Sequence, residues 1–164
     1  MNNRRYFIKS LGALGLLLGT TKLDLNAKTS KKSNNKIINQ PIVLSTWNFG
    51  LEANKAAWEI LSKKGTALNA VEQGVKIVEA DPTERSVGYG GRPDRDGNVT
   101  LDACIMDHEA NIGSVAALEN IKHPISVARK VMEETPHVML VGNGALQFAL
   151  EKGGTKIMSE DMIK

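Results

Sequence analysis

Cysteine occurs once in the 164 residues, at Cys104. No disulfide can close within the chain, and no thiolate metal cluster can be assembled from it. Histidine is nearly as scarce. His108, His123 and His137 stand far apart, at none of the short spacings that present two imidazoles to one ion, so no catalytic metal and no other cofactor is expected. Aromatic residues make up 4% of the chain and are not interleaved with basic ones, so the stacking-and-charge footprint of a nucleic-acid binder is missing. No apolar run reaches the roughly 20 residues of a permanent membrane span.

Positive charge is also missing from most of the chain, although the net charge is +3. Residues 1–36 hold eight basic residues (Arg4, Arg5, Lys9, Lys22, Lys28, Lys31, Lys32, Lys36) against one acid, Asp24. Residues 37–164 keep 13 basic and 17 acidic residues, a balance of −4. The leader has its own pattern: "NRRYFIKS", with paired arginines, runs into the short apolar "LGALGLLLGTT". A positive segment followed by a short apolar one is the pattern of a secretory signal, and the arginine pair points to twin-arginine export to the periplasm. We assign residues 1–27 to this signal peptide, with Ala27 as a candidate cleavage point; an N-terminal membrane anchor is the other reading. Residues 28–40, including "KTSKKSNNKIINQ", read as a polar linker.

Residues 41–164 carry the domain. "PIVLSTW" (41–47) reads as a first strand. Two helices follow: "NFGLEANKAAWEILSKKG", with Leu51, Ala57, Trp58 and Leu61 near one face and Gly65 as its stop, and "TALNAVEQGVKIVEADP", with Ala67, Val71, Val75 and Val78 on one face. "VTLDACIMD" and "NIGSVAALEN" have strand composition and lie close enough to pair antiparallel across "HEA". Pro124 opens a helix with Ile125, Ala128, Val131 and Met132 on one side. "HVMLVG" reads as a strand buried on both faces, and "NGALQFALEKGG" as a helix ending on glycines. The order β, two helices, hairpin, helix, β, helix predicts an α+β or α/β domain with helices covering sheet faces.

Between the second helix and the hairpin lies "SVGYGGRPDRDG", rich in glycine. A phosphate-loop reading fails on detail, because G-x-x-x-x-G-K-[ST] is absent and the glycines open a strand rather than a helix. "VGNGALQF" lacks the third glycine of a dinucleotide fingerprint. Asp102 and Asp107, five apart on a strand, point to opposite faces and make a poor acid/base pair. One is expected to cap the hairpin, and Asp102 is expected to be a buried structural acid. Ser86, Ser114 and Ser126 have no G-x-S-x-G around them. Composition and spacing thus define a scaffold and a shaped loop without a nucleophile.

The blocks "STWNFG", "SVGYGGRPDRDGNVTLDACIMD" and "NIGSVAALENIKHPISVARKVMEETPHVMLVGNGALQFA", in that order, resemble the N-terminal half of the glycosylasparaginases, also called aspartylglucosaminidases. The resemblance runs from about residue 41 to 153 and extends to the wider family of plant-type asparaginases and isoaspartyl peptidases. It implies an N-terminal-nucleophile hydrolase with a four-layer αββα sandwich, of which residues 41–164 would form an incomplete α-subunit part. In such a protein a precursor cuts itself before a threonine, whose hydroxyl is the nucleophile and whose free amine is the base. The β subunit from the same precursor would be the partner, in an (αβ)2 assembly when intact, and the substrate a glycosylated asparagine or a β-aspartyl compound. Trp47 matches the tryptophan lining the substrate pocket, with Phe49 beside it; an ordinary core aromatic is the other reading of Trp47. Ser86 matches a serine near the nucleophile's amine, against the plainer reading of a turn serine. "DACIMD" would form a central strand of the sandwich.

One part of the family pattern is missing. No Asp-Thr pair, the expected cleavage point, occurs in the chain, and Thr155 follows Gly154 in another context. The nucleophilic threonine is therefore expected beyond Lys164, with no catalytic residue in the chain itself. The expected activity of the intact protein is hydrolysis of the N-acetylglucosaminyl–asparagine bond. An isoaspartyl peptidase or L-asparaginase, and a non-catalytic binding module, are the alternatives.

Overall fold

Two helices that pack on small residues open the domain. The computed structural model describes residues 40–154. The signal peptide expected at 1–27, the linker at 28–40 except its last residue, and the tail from 155 lie outside the described residues. Helix α1 spans Gly50–Ser62 and α2 spans Ala67–Glu79. Their contact is close because a Cβ on Gly74 would stand 2.7 Å from the Ala53 carbonyl oxygen. Ala57 and Ala70 are buried in the same seam. The turn between the helices is capped on both sides. Lys64 takes the left-handed conformation at φ 64°, and the Gly65 amide reaches back to the Ile60 carbonyl at 2.9 Å, a Schellman ending. Thr66 then caps α2, its hydroxyl accepting from the Asn69 amide at 3.2 Å.

The faces of these helices agree with the expected ones in part. Ala57 and Val78 are buried as expected, whereas Leu51, Trp58 and Val71 are exposed, and Gly50, Ala70, Gly74 and Glu79 are buried instead. Small residues in the seam let the two backbones approach, which leaves several of the large side chains outside.

The sheet is built on the expected hairpin. Strand β1 (Leu101–Met106) pairs antiparallel with β2 (Ile112–Leu118), and β2 pairs parallel with a two-residue β3 (Leu140–Val141), in the order β1-β2-β3. Asp107 organises the hairpin loop as expected. Its carboxylate accepts from the amides of Glu109 and Asn111, both at 2.9 Å, and from the Asn111 side chain at 2.8 Å. The Asn111 side-chain bond is the main reason its pKa is held below the usual aspartate value.

Helix α3 (Pro124–Glu134) lies on one face of the sheet and α4 (Gly142–Glu151) packs beside it. Ile105, Val115, Leu118, Ile125, Ala128 and Val131 form the core between them. Gly113 of β2 is where helix and sheet come closest: a Cβ there would collide with the Ala128 carbonyl and lie 2.6 Å from the Met132 nitrogen. Pro124 stands at the start of α3 as expected. Lys152 ties α4 to Glu134 of α3 at 2.6 Å.

Two strand expectations are corrected. Residues 41–47 form no strand, and Ile42 and Leu44 are exposed there; a strand exists only through a neighbour's backbone, and none of the described strands lies beside this segment. "HVMLVG" contributes two ladder residues, with Val138, Met139 and Val141 exposed, because β3 is an edge strand rather than a doubly buried one. Strand β1 stands at the other edge of this three-stranded sheet among the described residues. The class is α+β. No helix among the described residues is long and apolar enough to cross a membrane.

Candidate functional site

Residues 81–98, which hold the glycine-rich segment, form successive turns, three of them closed by a carboxylate. Asp81 accepts from the Thr83 amide at 2.8 Å and from its hydroxyl at 2.7 Å. Glu84 accepts from the Ser86 amide at 2.8 Å and from the Ser86 hydroxyl. Asp94 accepts from the amides of Asp96 and Asn98 at 2.8 and 2.9 Å. The carboxyls of Asp81 and Glu84 are held below their ordinary pKa values, chiefly by the side-chain bonds from Thr83 and Ser86.

Two glycines let this loop fold back on α2. Gly88 sits at φ 72°, and a Cβ there would collide with the Glu79 carbonyl. At Gly90 a Cβ would lie 2.7 Å from the carbonyl oxygens of both Pro82 and Glu84. The loop is thereby clamped to the C-terminal end of α2, and it walls a polar cavity of about 400 Å³. Glu79, Arg85, Ser86, Arg92 and Asp102 are among the lining residues.

Each expected site residue can now be placed. Ser86 is exposed on this loop, its hydroxyl engaged by Glu84. Trp47 lies just before α1 and is 71% exposed, which excludes an ordinary core position within the described residues. Phe49 is half-buried as the residue preceding α1. Neither aromatic lines the cavity that holds Ser86. Asp102 is exposed rather than buried, but its role is structural as expected. The pairing slips between Leu101 and Ala103, and Asp102 accepts from the Ala117 amide at 2.8 Å where β2 bulges and Ala117 takes φ 50°.

Sequence reasoning missed the polar seam between α2 and α3. Glu72 accepts from the Ser126 hydroxyl at 2.6 Å and from Arg129 at 2.7 Å, and Arg129 also reaches Asn69 and Glu133. Burial raises the Glu72 pKa, but the bonds from Ser126 and Arg129 together outweigh it and the net shift is downward. Glu79, 2% exposed, accepts from the Ile125 amide at 2.9 Å, and burial pushes its pKa up. Residues 54 and 46 positions apart carry these bonds, so no local pattern marks them. Among the described residues there is no cluster of His, Cys, Asp or Glu that could hold a metal.

The glycine-clamped loop of this α+β scaffold walls a polar cavity. The chain belongs to the Asparaginase_2 family, described as asparaginase, whose model matches residues 29–164. It is 65% identical over 159 residues to an N(4)-(beta-N-acetylglucosaminyl)-L-asparaginase of Elizabethkingia miricola, covering 94% of this chain and 45% of that protein. Proteins of the same name from Rattus norvegicus and Mus musculus are each 47% identical, over 74% and 70% of this chain and 34% and 33% of their own lengths. The chain thus spans less than half the length of these relatives.

Proposed function

We propose that the protein is the α-subunit part of an exported glycosylasparaginase that hydrolyses the amide between N-acetylglucosamine and asparagine. The observation that carries this reading is the 65% identity to a bacterial protein of that name across nearly the whole chain. The reactive group is an N-terminal threonine released by self-cleavage, carried by sequence beyond Lys164. Its hydroxyl attacks the substrate amide while its own amine takes the proton, which keeps nucleophile and base in nearly fixed geometry. An acyl-enzyme forms, the glycosylamine leaves, and water releases aspartate.

Within that reaction Trp47 and Phe49 line the substrate pocket. The exposure of Trp47 supports a role in contact rather than in the core. Ser86 stands near the nucleophile's amine. Because Glu84 accepts its O–H, the serine oxygen keeps its lone pairs for a donor such as that amine.

The partner is a β subunit cut from the same precursor, completing the αββα sandwich and an (αβ)2 assembly. The bare side of the sheet supports this. Met106, Ile112 and Val141 project from the face opposite α3, at 62%, 44% and 56% exposure. An apolar sheet face of this kind is ordinarily covered. Export follows the twin-arginine route to the periplasm, as the leader's arginine pair supports.

The test is turnover by the protein at its full natural length, with glycosylated asparagine, free asparagine and a β-aspartyl dipeptide as substrates and aspartate release as the readout. Preference for the glycosylated substrate is expected. Preference for either of the others would move the assignment to an asparaginase or isoaspartyl peptidase, and no turnover of any would overturn it.

A further inference from the structure

Glu79 and His123 meet where three elements converge. Glu79 is the last residue of α2, its backbone bears the Gly88 turn, and its Oε1 holds the Ile125 amide in the first turn of α3. Its Oε2 lies 3.4 Å from Nδ1 of His123, which precedes Pro124. The Glu79 side chain is 3% exposed and that of His123 23%. Both facing atoms are buried, and neither has a hydrogen-bond partner among the described residues, so at 3.4 Å each is the other's nearest polar counterpart.

Two buried acceptors would repel at this distance, so a proton must lie between them. A carboxylate has no hydrogen of its own and a neutral imidazole always carries one, which places the proton on nitrogen. Burial raises the proton affinity of the carboxylate, and His123, the Ile125 amide and Lys76 act against that rise. The other charged groups facing Glu79 are Arg85 and Arg92 of the loop and Asp102 of β1, which line the same cavity.

We infer that Glu79 and His123 form a proton-holding latch that joins α2, the Ser86 loop and the start of α3. Nδ1 keeps its hydrogen toward Glu79, so the neutral ring is locked in the Nδ1–H tautomer, the one a free histidine disfavours. The joint holds as long as Glu79 can accept that hydrogen. The latch operates whatever reaction the protein performs.

The test is ¹⁵N-histidine NMR of the protein at its full natural length, with His123 assigned by its loss in His123→Asn. The wild type is expected to show the Nδ1–H tautomer at neutral pH. In Glu79→Gln the amide oxygen keeps the Ile125 bond and its NH2 group faces His123, so Nδ1 must become an acceptor and the ring must switch to Nε2–H. An Nε2–H ring in the wild type overturns the latch, as does a ring unchanged by Glu79→Gln. If Glu79→Gln does not fold, the wild-type tautomer alone decides.

Discussion

Replacing Gly113 by alanine adds one methyl at the point of closest approach between β2 and α3. The new Cβ would overlap the Ala128 carbonyl and lie 2.6 Å from the Met132 nitrogen and 2.7 Å from its Cβ. Backbone atoms cannot rotate away as a flexible side chain would, so the helix must lift off the sheet. Lifting it loosens Val115, Ala128 and Val131, which are all but fully buried in the core. Overpacking of a close-packed interior costs about 1–3 kcal/mol, and a clash with main chain belongs at the upper end. At a domain of this size, about 3 kcal/mol lowers Tm by roughly 10 °C. The control is Gly144→Ala in α4, where nothing lies within 4 Å of the added carbon. There the helix gains, by up to about 1 kcal/mol, from replacing glycine. Thermal unfolding followed by circular dichroism measures both. Equal shifts, or a Gly113→Ala protein as stable as wild type, would refute the close approach of α3 to β2.

Other perturbations test the seam, the caps and the pocket. Glu72→Gln should lower stability at pH 7 by about 1–2 kcal/mol, the worth of a hydrogen bond to a charged group. Because the folded pKa of Glu72 lies below its ordinary 4.5, that contribution is present above pH 4.5 and lost as pH falls through the folded value. Urea unfolding of the two proteins should therefore converge in acid, and a constant gap would count against the assignment. Thr66→Ala removes the cap on the Asn69 amide and should cost about 1 kcal/mol, seen as a lower urea midpoint with unchanged slope. Trp47→Ala, made in the full-length protein, should lower kcat/KM for glycosylated asparagine about tenfold with little change in Tm, as for loss of one aromatic contact. A large fall in Tm with unchanged kcat/KM would return Trp47 to a structural role.

Elements whose bonds close locally could be read from the chain. The hairpin was legible because Asp107 and Asn111 build its loop within five residues, and α3 and α4 because Pro124 and the terminal Gly153 punctuate them. Elements that depend on a distant neighbour were not. "PIVLSTW" has the composition of a strand and lacks a described partner, while "HVMLVG" contributes only Leu140 and Val141 because only β2 stands beside it. Composition states what a segment could bury, and topology decides whether anything is there to bury it against. The same distinction explains the helix pair, where Gly74 and Ala57 set the approach and the large Trp58 and Val71 remain outside.

The candidate site divides along the same line. Gly88 and Gly90 drew attention to the loop because three glycines among the six residues 86–91 are conspicuous in one dimension, and the structure gives two of them a reason in carbonyls that a side chain would strike. Glu79 drew none. It occupies the last turn of a helix, where a solvated glutamate is the ordinary expectation. Its burial follows from a fold that brings Gly88 against its backbone and Ile125 against its carboxylate, contacts separated by 9 and 46 positions. A carboxylate can be that deeply buried only where amides and a proton donor meet it. A buried electrostatic constraint therefore lies at a position whose residue type announces nothing, and it binds the legible loop to the helix beneath it.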